Sequence, residues 1–109
     1  MNEGMAGYAE VFVAFLAPDQ GGRQTPICLG EEAIGRYRPH LRVHDGDQVY
    51  LGVEFVDGPD GPLPPGGRSH ATVRFLFEPH VSYEALVVGA EFDICEGDRV
   101  VGSGRVTHR

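Results

Sequence analysis

Lysine is missing from this chain. All nine basic residues are arginine, against sixteen Asp and Glu, for a formal net charge of −7. Without lysine there is no side-chain amine for Schiff-base chemistry and none for a lysine-bearing phosphate loop. The carboxylate surplus works against non-specific nucleic-acid binding, which needs clustered positive charge, and favours solubility or a basic partner instead. Cysteine is scarce: Cys28 and Cys95 are too few for a disulfide framework and read as free, small apolar thiols. Long apolar runs are lacking as well, with nothing near the ~18 residues of a membrane span. The opening MNEGMAGYAE has neither the basic nor the apolar region of a secretory signal, so a cytoplasmic chain with no membrane association is expected.

What is present is a single domain of 109 residues, with 16 Gly and 8 Pro marking many short elements joined by turns. Period-two alternation predicts strands at 8–17, 38–44, 48–56, 69–78, 90–94 and 99–107. In these, Leu41 and Val43 share a face, as do Val49, Leu51, Val53 and Phe55, then Ala90, Phe92 and Ile94, and finally Val100, Gly102, Gly104 and Val106. Turn clusters separate them: DQGGRQTP, HDGDQ, DGPDGPLPPGG and EGD, the last a short hairpin with Gly97 supplying the unusual dihedral. GEEAIGRY (30–37) and VSYEALVVG (81–89) have room for a helical turn and no more. Six strands at this spacing imply an antiparallel barrel or sandwich.

Candidate chemistry is thin. DQGGRQTP has two glycines and an arginine, but no lysine and no following helix, so it reads as a turn with Arg23 aimed outward and not as a phosphate cradle. His40 and His44 share a strand face yet stand about 13 Å apart, too far to hold one ion directly. Ser69 and His70 are neighbours on a strand and point to opposite faces, so they form no catalytic pair. Glu31 and Glu32 fall in a loop as solvated acids. No nucleophile, base and orienting acid assemble, and no enzyme activity, metal or cofactor is expected.

Four motifs occur in order: DQGGRQTPI, then YRPHLRV, then PLPPGG before a strand and FEP after it, and finally AEFDICEGDRVVGSGRV. The series resembles the C-terminal domain (domain 3) of bacterial elongation factor Tu and related translational GTPases. There a GGR-[HQ]-TP turn follows the first strand, a YRPQ-like strand start and a PG turn come next, and a REGGRTVGAGVV-like hairpin closes the domain. The likeness spans roughly residues 9–107, the closing hairpin being its most specific part. It implies a six-stranded antiparallel Greek-key β-barrel filling approximately 8–107, with no catalysis of its own and no GTP site. In the family this barrel packs on a GTPase domain and a middle barrel, contacts the T stem of aminoacyl-tRNA and meets the nucleotide-exchange factor.

Carried over, the resemblance puts Arg23, Gln24, His40, Glu96 and Gly97 on an RNA- or partner-contacting face, with Arg38 supporting the fold or a domain interface. Three departures are set against RNA: Glu78 stands before the proline of FEP where the family has Lys or His, Cys95 replaces an Arg, and Asp98 replaces a glycine. The loops at 27–36 and 80–89 are longer than in the family and bring an apolar trio, Leu86, Val87 and Val88. That trio is either a patch a partner covers or a core-facing strand extension. Two functions follow as expectations. One is a non-catalytic protein-interaction module linked to translation, its partner a translation factor or a factor-targeting protein. The other is a weak tRNA- or RNA-binding protein using Arg23, Arg38 and Arg42, which the overall charge disfavours.

Overall fold

The computed structural model describes residues 7–30, 36–45 and 49–109. Its strands are β1 (Tyr8–Phe15), β2 (His40–Val43), β3 (Leu51–Asp57), β4 (Arg68–Phe75), β5 (Glu91–Glu96) and β6 (Arg99–His108), with one 3-10 turn at Pro18–Gln20. They close into an antiparallel barrel in the order β1-β4-β3-β2-β5-β6. The order β1-β4-β3-β2 places β1 beside β4 after three successively paired strands, which is compatible with a Greek key.

Alternation explains the interior. Ala9, Val11, Val13 and Phe15 of β1, Leu41 and Val43 of β2, and Val53 and Phe55 of β3 all point inward and are buried. Val73 and Phe75, Phe92 and Ile94, and Val101 and Val106 complete the ring. Each of these side chains larger than Ala9 is worth roughly 1.5–3 kcal/mol over its exposed state.

Two details depart from strict period two. Between β5 and β6 the register shifts, so that Ile94 faces Gly102 while Cys95 faces Val100. Val101 is the extra residue of this bulge and turns into the core, fully buried, in place of the expected Val100. Val49 does not join the inward row of Leu51, Val53 and Phe55; β3 begins only at Leu51, and Val49 stays 47% exposed.

Both mouths of the barrel are sealed by residues outside the strands. At the β5–β6 hairpin end, Ile27 and Leu63 exchange backbone hydrogen bonds of 2.9 and 2.7 Å. Buried Leu29 lies in the same loop, and Tyr37 packs its ring against Phe15 and Phe55. At the other end Tyr83 stacks on Phe75, the rings 4.5 Å apart, and its hydroxyl donates to the Gly52 carbonyl at 2.6 Å. Leu86 is buried alongside it. Arg109 lies over the Phe75 ring and donates to the carbonyls of Tyr83 and Leu86, fastening the 80–89 loop as a lid. That loop is a pair of successive turns, closed by Leu86 N–H to Tyr83 O and Ala90 N–H to Val87 O. Most of the helical turn expected at 30–37, with Glu31 and Glu32, lies outside the described residues.

Candidate functional site

The turn DQGGRQTP and the closing hairpin, 73 residues apart at Arg23 and Glu96, are packed on one another. Gly21 and Gly22 turn their N–H groups back to the Pro18 and Ala17 carbonyls. Arg99 then grips the turn from the hairpin, donating to Gly21 O at 3.0 Å and Gly22 O at 2.7 Å. Gly22 is sterically required: a Cβ there would lie 2.0 Å from the Leu16 carbonyl oxygen.

Arg23 does not project freely as expected from the sequence. Its guanidinium donates to Glu96 Oε2 at 2.7 Å and to Thr25 Oγ1 at 3.1 Å, and lies over the Tyr37 ring. The Tyr37 hydroxyl donates to the same Glu96 oxygen at 2.6 Å. Burial alone raises the Glu96 carboxyl, but the hydrogen bonds from Tyr37 and Arg23 outweigh it and hold the group below the usual carboxylate range. The Tyr37 phenol is driven far up, first by burial and then by its Glu96 partner. Gln24 and Gly97 are exposed beside this cluster, Gly97 with φ +64° at the hairpin tip.

The other carried-over cations are also occupied. Arg38 Nε and Arg74 Nη2 hold opposite oxygens of Glu54, at 2.8 and 2.7 Å. Glu54 is a charged residue in a strand buried on both faces. Its hydrogen bonds from Arg74 and then Arg38 depress its carboxyl despite desolvation. Arg42 pairs with Asp93 at 3.1 Å, and His44 meets the other oxygen of Asp93 at 2.9 Å. His40 lies between Gly52 and Cys95 across the strands, its ring 5.3 Å from that of Tyr50. So Arg23 and Glu96 come together with Gln24 and Gly97 nearby, whereas Arg38 and His40 sit on the barrel wall.

The apolar trio of the 80–89 loop is divided. Leu86 belongs to the core, while Val87 and Val88 are 57% and 62% exposed. These valines, with Val43, Ala85 and Ala90, line an open groove of about 490 Å³. A second hollow of about 290 Å³ shares Val43 and Ala85 and extends the apolar surface to Val49, Leu51 and Val81. Carboxylates rim both: Asp45 and Glu91 on the first, Glu84 on the second. Glu91 opens β5 and Glu96 ends it, so this groove and the Arg23 cluster occupy opposite ends of the barrel, roughly 17 Å apart along the strand.

Cys28 is exposed and Cys95 buried. Burial pushes the Cys95 thiol up, Asp93 adding to the effect and Arg42 opposing it. Among the described residues no three His, Cys, Asp or Glu gather as a metal site, and no helix is long and apolar enough to cross a membrane. Sequence reasoning missed Glu54, Tyr37, Arg99 and Arg109; each acts through a non-local partner that has no signature in a linear pattern. No protein-family model matches the chain.

Proposed function

We propose that this barrel is a non-catalytic protein-interaction module whose partner belongs to, or targets, the translation apparatus. The exposure of Val87 and Val88 beside a core-anchored Leu86 carries the reading: a loop fastened at its base holds two aliphatic side chains in water. The link to translation rests on the resemblance of the four motifs to the elongation factor Tu domain 3 family.

The charge pattern favours protein over RNA as the partner. Arg23, Arg38 and Arg42, the cations an RNA phosphate would need, each already lie on a carboxylate. Exchanging such a pair for a phosphate contact gains little, on a chain that carries −7 overall.

The test is capture from a native lysate of the source cell, with and without RNase, followed by mass spectrometry. Translation factors, or proteins known to act on them, should be enriched by the wild type after RNase and lost with Val87→Ser/Val88→Ser. A tRNA gel shift at about 50 mM salt should be negative; a clear shift abolished by Arg23→Ala would overturn the protein reading in favour of RNA.

A further inference from the structure

We infer that the groove between the 80–89 loop and the β2–β5 end of the barrel docks a polypeptide segment in which apolar anchors are flanked by arginine or lysine. This rests on the reading of the barrel as an interaction module and names the chemistry of its partner.

The groove offers apolar floor and walls, from Val43 at the end of β2 through Ala85 to Val87 and Val88, with Val49 continuing the surface. Its floor is firm. Tyr83 and Leu86 anchor the same loop in the core, and the Arg109 guanidinium holds both their carbonyls, so the loop does not have to be ordered on binding.

The rim gives the sign of the partner. Asp45, Glu84 and Glu91 all line the apolar surface. Two basic side chains stand on the Glu91 side of this rim. His44, which lines the groove, lies 2.9 Å from Asp93 and 3.9 Å from Glu91. Arg105 is the cross-strand partner of Glu91 and lies over the Phe12 ring, so Asp45 and Glu84 are the carboxylates that set the sign. Glu84 meets the hydroxyl of Ser82, a neutral group. An apolar floor within an acidic rim is complementary to apolar side chains bracketed by cations, and the −7 net charge steers such a segment in. The same rim opposes a second copy of this chain, because a two-fold contact through the groove would bring the three carboxylates of each copy together.

Panning a phage library of random, roughly twelve-residue peptides against the intact protein tests the inference. Enriched peptides should pair aliphatic or aromatic residues with Arg or Lys. When synthesised, they should lose about tenfold in affinity to Val87→Ser/Val88→Ser, both exposed positions. Affinity should also fall several-fold in Asp45→Asn/Glu84→Gln and on raising salt from about 50 to about 500 mM. Groove-dependent peptides without basic residues would overturn the cationic chemistry and leave the interaction-module reading standing. A dimer in light scattering that dissociates in the valine variant would assign the groove to a second copy and overturn it too. Peptides or lysate partners bound equally by the valine variant would remove the groove as a docking site while keeping the module, whereas loss of lysate capture altogether would count against the module itself.

Discussion

The Arg23 guanidinium and the Glu96 carboxylate meet at 2.7 Å, with the Tyr37 hydroxyl donating to the same carboxylate oxygen at 2.6 Å. Both partners of the ion pair are more than two-thirds buried, which lifts the pair above the near-zero value of most surface bridges. Arg23→Ala and Glu96→Gln should each cost about 1–2 kcal/mol in urea denaturation. The double variant should cost less than their sum, with a coupling of about 1 kcal/mol. Additive losses would mean that the two groups do not share one interaction.

Gly21 and Gly22 should respond differently to the same substitution. Gly21 has φ +93° and open space where a Cβ would go, so Gly21→Ala should cost about 1–2 kcal/mol through the backbone alone. At Gly22 the added Cβ would run into the Leu16 carbonyl, forcing the turn off Leu16 and out of reach of Arg99. Gly22→Ala should therefore lower stability by about 2–3 kcal/mol or more. Melting temperatures in the reverse order would contradict the packing described for this turn.

Acid sensitivity should involve Glu54. Its folded pKa lies below its ordinary value of 4.5, because Arg74 and Arg38 stabilise the ionised form. The stabilisation is complete above that value and is lost as the pH falls from it through the depressed folded pKa. Glu96 and Asp93 shift in the same direction and add to the same limb. Urea midpoints should drop as pH is lowered below about 4.5, and Glu54→Gln should flatten that drop while destabilising the protein at neutral pH. An unchanged acid slope in the variant would remove Glu54 from this role.

Thiol labelling should resolve the two cysteines. Exposed Cys28 should react with a disulfide reagent at once. Cys95 is fully buried with a raised pKa, and should react only at the rate of unfolding. Two fast thiols in the native protein would contradict the placement of Cys95.

The strands were legible because inward residues alternate with outward ones over most of each run, as at Leu41 and Val43 or Val53 and Phe55. The Val101 bulge was not, since one inserted residue flips the faces without changing composition. Val49 misled because alternation carries on through residues that precede β3. Leu86 gave no periodic signal: it enters the core from a turn, and turns place side chains by backbone geometry and not by a fixed repeat. Of the candidate site, Arg23 and Glu96 were singled out from motifs, but their mutual pairing depends on chain closure over 73 residues. A single charge in GVEFV looks like an outward strand position, so Glu54 carries no sign of burial in the sequence. It is buried with Arg38 and Arg74 holding its two carboxylate oxygens.

β1 pairs with β4 on one side and β6 on the other, completing the ring. A closed ring has no spare row of backbone donors and acceptors to offer an incoming chain. Along the strands only side chains face outward to a partner, so under the docking proposal Val87, Val88 and their acidic neighbours can be exchanged without disturbing a rung of the barrel.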